Sequence, residues 1–205
     1  NIFPSSSISQ WHKMILKNNY QCIIQREAFV FLENDIKDIR SSIRKSYKSL
    51  ISKGKKIWKV EVSFSISKKI WREFRELHYK AAGRKTRSDK SWEILEKGLI
   101  DKDVLFIYCL DKENKMVGGS LFFLSKNESY YAIAAYDRDL FDHPIGHVVQ
   151  FKAISEFKKM NFLWYRLGKV PFDGDDPKPS LKEKNIGKFK DGFSTHLFPQ
   201  YTLFK

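Results

Sequence analysis

The chain is poor in the residues that most often announce a chemistry. Its 205 residues hold two cysteines, Cys22 and Cys109, far apart and outside any Cys-x-x-Cys spacing. That excludes a disulfide framework and a thiolate zinc site. His143 and His147 lack the glutamate of a His-Glu-x-x-His helix, so no metal centre is expected. There is no Gly-rich dinucleotide loop, no Walker loop and no Gly-x-Ser-x-Gly elbow. No apolar run approaches the roughly 18 residues that a membrane-spanning helix needs. The first residues do not read as a signal peptide. Both cysteines fall in apolar, strand-like runs, which predicts reduced core thiols and a cytoplasmic protein. Acid is also scarce: 24 Asp and Glu face 38 Lys and Arg, a net charge of +14. Such an excess points to an anionic partner, a nucleic acid, a membrane surface or a phosphorylated metabolite.

What is present is enough apolar material for a core, 42% hydrophobic and 15% aromatic, which excludes wholesale disorder. Gln21–Leu32 reads as two short strands or a hairpin bending near Arg26-Glu27. Ile36, Ile39, Ile43, Tyr47 and Leu50 recur at helical spacing and predict one amphipathic helix over residues 35–53, capped by Asp35 and stopped at Gly54. Its other face is basic: residues 37–59 hold nine Lys or Arg and one acid, Asp38. A strand follows over 57–64, then a helix over 67–82 with His78 on its apolar flank, a basic loop (Arg84, Lys85, Arg87) and a third helix to Leu99. Residues 104–110, 116–124 and 129–136 are three strands joined by turn-rich segments, an antiparallel meander. A loop, a helix over 145–160, a strand over 162–167, a Pro- and Gly-rich segment and a last strand complete the chain. This order predicts an α/β fold with a mixed sheet, in which the helix between Tyr136 and Phe162 makes the flanking strands parallel.

One segment stands out, Leu181–Ser194 (LKEKNIGKFKDGFS). Phe189 and Phe193, four apart, would anchor one helical face, Gly192 would allow a turn that other residues resist, and Lys190 would be held as a fixed cation. This Phe-Lys-x-Gly-Phe element, with the basic RSSIRKSYKSLISKGKK helix, the AAGRKTR loop, the meander and the DRDLFDHPIGH loop, resembles the Fem-type aminoacyltransferases. These are peptidoglycan-bridge enzymes of the wider GNAT-like acyltransferases. The resemblance covers roughly residues 35–205. It implies a GNAT-like mixed sheet flanked by helices, whose splayed parallel strands form a donor cleft. Fem-type enzymes carry two such halves; this chain has room for about one and resembles the C-terminal half, with residues 1–34 as a stub of the first. Two departures are visible. The acyl-CoA loop keeps one glycine, Gly146, and Ser194-Thr195 stands where relatives carry glycines.

The resemblance implies transfer of an acyl group, from acyl-CoA (acetyl-CoA foremost) or from aminoacyl-tRNA, to an amine of a cell-envelope sugar or peptidoglycan precursor. By the same resemblance Lys190 stabilises charge on the donor phosphate or the reacting carbonyl. Ile145, Gly146 and His147 open a helix directly after a strand and loop, where N–H groups and the helix dipole suit a donor phosphate. His78, Asp137 and His147 are the candidate bases. Arg84, Lys85 and Arg87 suit an anionic small-molecule or glycan-linked acceptor through charge-assisted contacts. Two other functions fit the same residues: a nucleic-acid-binding module, tRNA included, resting on the charge and the 37–59 face, or a non-catalytic remnant of the Fem fold.

Overall fold

A computed structural model describes residues 9–18 and 21–204. After a short helix, α1 (Gln10–Lys17), the chain runs β1 (Gln21–Phe31), α2 (Ile36–Ser42), α3 (Lys45–Ile57), β2 (Lys59–Ser63), α4 (Lys68–Ala82) and α5 (Asp89–Ile100). The meander β3 (Val104–Leu110), β4 (Met116–Leu124) and β5 (Glu128–Tyr136) follows, then α6 (Ile145–Lys159), β6 (Trp164–Lys169), α7 (Leu181–Asp191) and β7 (His196–Phe204). The strands form one seven-stranded sheet in the order β2-β3-β4-β5-β6-β1-β7. Every pairing is antiparallel except β5 with β6, which the α6 crossover makes parallel.

Each sheet face carries its own core. On one, α2, α3 and α6 pack Ile39, Ile43, Ile51, Val149, Ile154 and Phe157 against Ile107, Cys109, Phe122, Tyr165 and Leu167. On the other, α4 and α5 pack Trp71, Phe74, Leu77, Trp92 and Leu99 against Phe106, Leu121 and Ile133. Strand β3 is therefore buried on both sides, and its sequence is a continuous apolar run rather than an alternating one. Among the described residues no helix is long and apolar enough to cross a membrane, and no group of three or more His, Cys, Asp or Glu could hold a metal ion.

The meander and the 145–160 helix form as the sequence predicts; six other expectations are corrected. Residues 21–32 are not a hairpin. Strand β1 runs straight through Arg26-Glu27, because the Arg26 carbonyl accepts the Val170 N–H at 2.8 Å and Glu27 is gripped by Arg166 from β6. It pairs with both β6 and β7, so the sheet crosses the boundary expected at residues 34/35. The single 35–53 helix is two helices: Ile43 and Arg44 are extended, with ψ of 138° and 130°. The break is held from outside, Ile43 being buried and the Arg44 N–H donating to the Gly192 carbonyl at 2.9 Å. Gly54 does not stop α3. It lies buried in the helix, where a Cβ would come within 3.0 Å of Val148 Cβ and 3.1 Å of the Pro144 carbonyl oxygen, and α3 continues to Ile57. The remaining corrections are Cys22, which is exposed while Cys109 is buried, and Gly192, taken up below.

Candidate active site

Strands β5 and β6 pair only through Glu128–Tyr130 and Trp164–Arg166. Beyond these they part, leaving Tyr131–Tyr136 and Leu167–Lys169 without each other, the divergence that the sequence order predicts. Helix α7 closes the gap from above. Ser180 and Glu183 form a reciprocal capping box at its start, a Ser-x-x-Glu signal readable in the sequence. Its last turn carries Phe189 and Lys190.

Lys190 reaches back into the gap. Its Nζ lies 6.0 Å from the centroid of the Tyr131 ring and 3.0 Å from the point a Cβ on Gly168 would occupy. Gly168 has φ of +94°, a conformation that side-chain-bearing residues resist, and Tyr130 Oη lies 3.8 Å from the same point. Glycine there provides both the backbone bend and the seat for the ammonium. The sequence offered the signal, an isolated glycine inside a strand, but nothing in it connects Gly168 to Lys190. Burial lowers the Lys190 pKa, the Glu27 charge raises it and Arg166 lowers it. Glu27 is not available as its counter-ion. Arg166 holds it in a two-pronged grip through Nε and through Nη2 to Oε1 at 2.7 Å. Among the described residues Lys190 forms no ion pair, so it is a largely desolvated cation without a carboxylate.

Beneath the gap runs a buried hydroxyl network that sequence reasoning did not single out. Tyr136 Oη lies 2.8 Å from Ser120 Oγ and 3.4 Å from Tyr131 Oη. Tyr165 donates to Oε1 of the fully buried Gln150, whose Nε2 has no hydrogen-bond partner among the described residues. Burial raises all three tyrosine pKa values, so at neutral pH these groups are uncharged donors. The repeated tyrosines of the β5 sequence were the available signal.

The first turn of α6 abuts this region. The Ile145 side chain is buried and its N–H is spent on the His143 carbonyl at 2.9 Å. Gly146 faces the rings of Phe189 and Tyr136, at 3.2 and 3.5 Å from where a Cβ would lie. His147 is packed edge-on to Tyr47 at 4.5 Å and Phe189 at 5.2 Å, and burial pulls its pKa down to about 4. It is a partly buried ring, neutral at physiological pH. The Phe189–Phe193 pair anchors α7 as predicted, with Phe193 fully buried. Gly192 serves another purpose than the one its type suggested. Its backbone is ordinary helical, φ −64° and ψ −12°, and glycine is required because a Cβ would run into the Tyr47 ring. Tyr47 lies on α3, so the basic helix and the Phe-Lys-x-Gly-Phe element dock on each other.

The remaining predicted residues gather on the other sheet face. His78, Arg84, Lys85 and Arg87 line a cavity of about 400 Å³ between α4 and α5, with Arg72, Tyr79 and Trp92. Lys85 is held by Asp89 at 3.0 Å, whereas the Arg87 Nε is buried without a hydrogen-bond partner among the described residues. His78 packs edge-on to Trp92. Burial and then the Arg87 charge lower its pKa, so it is uncharged at neutral pH. Asp137 is not in this cavity. It caps the turn at 138–140 and pairs with Lys80 of α4 at 3.2 Å. Burial raises its pKa, but the Asp139 N–H and Lys80 outweigh burial and leave it below the usual carboxylate value. It is an engaged carboxylate and a weak base. The Lys80–Asp137 pair ties the end of α4 to the end of β5.

No family model matches this chain, and no curated protein matches it in sequence. Solved structures do match in fold. The crystal structure of FemX is 14% identical, with a TM-score of 0.67 over 84% of this chain and 59% of that one. L-PGS from Bacillus licheniformis is 13% identical, with a TM-score of 0.66 over 94% of this chain and 64% of that one. The C-terminal DUF2156 domain of a putative lysylphosphatidylglycerol synthetase from Agrobacterium fabrum is 13% identical, with a TM-score of 0.72 over the same shares, 94% and 64%. The chain thus spans less than two thirds of the length of these structures, and at such identities the likeness establishes the fold alone: a Fem-like mixed sheet flanked by helices.

Proposed function

We propose that the chain is an acyltransferase or aminoacyltransferase that moves an acyl group from acyl-CoA, acetyl-CoA foremost, or from aminoacyl-tRNA to an amine of an anionic cell-envelope sugar or peptidoglycan precursor. The observation that carries this reading is Lys190: a cation without a carboxylate, seated on a glycine with positive φ, in the gap where two parallel strands part. An attacking amine forms an N–C bond to the donor carbonyl while the C–S or C–O bond to the carrier breaks. Negative charge builds on the carbonyl oxygen meanwhile, and a preorganised ammonium in a water-poor cleft stabilises that charge. The proton lost by the amine ends on the departing sulfur or oxygen. None of the candidate bases stands beside Lys190: His78 lies in the basic cavity on the other sheet face, Asp137 is committed to Lys80, and His147 is packed against Tyr47 and Phe189. The cavity lined by Arg84, Lys85 and Arg87 suits the anionic part of the acceptor. The Ile145–His147 turn supports a donor phosphate less well than its sequence suggested, since the Ile145 N–H is taken.

The test is transfer from acetyl-CoA and from aminoacyl-tRNA to amine acceptors by wild type and Lys190→Ala, with circular dichroism as the folding control. Loss of one charge-stabilising group lowers turnover by about 10²–10³-fold. Equal turnover in the two proteins would remove Lys190 from the mechanism. If the wild type binds neither donor, the chain is a non-catalytic member of this fold.

A further inference from the structure

Lys190 has no carboxylate partner among the described residues, yet a carboxylate stands close by. Glu27 precedes Ala28 on β1, and Ala28 is in register with Gly168 of β6, over which the Lys190 Nζ sits. Glu27 is buried, and its charge favours the ammonium form of Lys190. Opposite charges within reach of each other in a desolvated setting attract strongly. Left alone, this pair would close.

Arg166 of β6 takes Glu27 instead. Its Nε and Nη2 both donate to Glu27, Nη2 to Oε1 at 2.7 Å. A guanidinium offers a carboxylate two parallel N–H groups and an ammonium a single point charge, so the fork wins the contest for Glu27. The fork is itself fixed from the neighbouring strands. Nη2 also donates to Gln200 Oε1 of β7 at 3.3 Å, Nη1 lies 4.0 Å from Glu128 Oε1 of β5, and Cζ lies 5.1 Å from the Tyr130 ring centroid. That ring reaches the seat of Lys190 as well: Tyr130 Cε2 lies 3.5 Å from the point a Gly168 Cβ would occupy. The Arg166 charge opposes the ammonium that the Glu27 charge favours. With the two bound together, their fields at Lys190 offset each other.

We infer that Arg166 is a positioning residue for Lys190: by holding Glu27 it leaves the ammonium free to meet negative charge that develops in the gap between β5 and β6. Without the fork, Glu27 pairs with Lys190, and the cation is neutralised by its own protein. The seat on Gly168 fixes where the ammonium lies; the Arg166–Glu27 pair keeps it uncompensated. The use of such a cation rests on the transferase reading, whereas the clamp is a matter of charge and is measured without any substrate.

The experiment is trace labelling of lysines with an amine-reactive reagent across alkaline pH, read by mass spectrometry as the titration midpoint of Lys190. Lys188, exposed on the same helix, is the internal reference. Arg166→Gln raises the Lys190 midpoint by about one pH unit, because Glu27 is released to pair with it. Glu27→Gln lowers it, because Arg166 is left uncompensated. Arg166→Gln/Glu27→Gln returns it to the wild-type value. A tie that only joins β1 to β6 would cost stability in both single variants and leave the midpoint where it was. Turnover with acetyl-CoA or aminoacyl-tRNA falls by about tenfold or more in Arg166→Gln and recovers in the double variant. An unmoved midpoint in either single variant, shifts of one sign in both, or an equal movement of Lys188 would overturn the inference. So would Arg166→Gln turning over like an active wild type. Should Arg166→Gln not fold, Glu27→Gln, whose amide keeps a carbonyl for the fork, decides the matter alone. Midpoints that move as stated in a chain that transfers nothing leave the clamp standing and the enzyme reading fallen; transfer with unmoved midpoints does the reverse.

Discussion

Gly168→Ala tests the seat of Lys190 most directly, and its two effects separate. The first is backbone strain. At φ of +94° an alanine is held in a region L-residues avoid, at about 1–3 kcal/mol. For a chain of this size that lowers the melting temperature by roughly 2–10 °C. The second is displacement. The new Cβ lies 3.0 Å from Lys190 Nζ, short of the ~3.5–4.0 Å of an ordinary contact. The neighbour is the flexible end of a side chain, so it retreats by less than an ångström at little further loss of stability. A charge-stabilising group moved that far loses much of its effect, and turnover falls by about 10–100-fold. Urea titration reads the first effect and transfer the second. The double variant Gly168→Ala/Lys190→Ala sorts them. Its stability loss matches that of Gly168→Ala, because the strain remains, but its turnover matches that of Lys190→Ala, because the group to be displaced is gone. Amine-reactive labelling of Lys190, followed by mass spectrometry, reports the displacement without any substrate. Unchanged turnover and labelling in Gly168→Ala would refute the seat. An equal further drop in turnover on the Lys190→Ala background would show that the glycine acts by some other route.

Gly192→Ala destabilises by about 1–3 kcal/mol in urea titration because its methyl group collides with Tyr47; on a Tyr47→Ala background the same change becomes neutral or stabilising, and additivity of the two would show that the rings do not touch. The partly buried His147, neutral in the folded state with its pKa pulled down to about 4, makes stability pH-dependent with a definite sign. The unfolded chain protonates near 6.5 and the folded one does not, so stability is full above that value and declines by about 2 kcal/mol, allowing for partial exposure, as pH falls to about 4. His147→Phe should flatten that window in denaturant midpoints measured across it, and an unaltered slope would place the titrating group elsewhere. Native protein should react with a thiol reagent at Cys22 alone, because Cys22 is exposed while Cys109 is buried with its pKa pushed up to about 12. Rapid labelling of both thiols without denaturant would contradict the packing of β3.

Local pattern settled much of this protein. The meander was legible because turn-rich segments separate its strands, and α6 because apolar residues recur along it; together they fixed the parallel pair and its divergence. Composition gave the cation excess, and the spacing of Phe189 and Phe193 gave the face that α7 buries. What the sequence left open were positions whose cause lies far along the chain. The α2–α3 break at Ile43-Arg44 looks like continuous helix because its partner, the Gly192 carbonyl, is distant in sequence. Arg26-Glu27 looks like a bend until Arg166 on β6 supplies the counter-charge that holds it in a strand. Gly54 and Gly192 look like stops and turns, and are spaces for Val148 and Tyr47. The functional geometry is of this second kind. A sequence can single out Lys190 as a fixed cation, but only the tertiary structure sets it over Gly168, apart from a Glu27 already bound, and puts His78 in one cavity with Arg87. Pattern is short-ranged, governed by the periods of helix and strand, whereas a site is made of contacts between segments that only the packed sheet brings within reach.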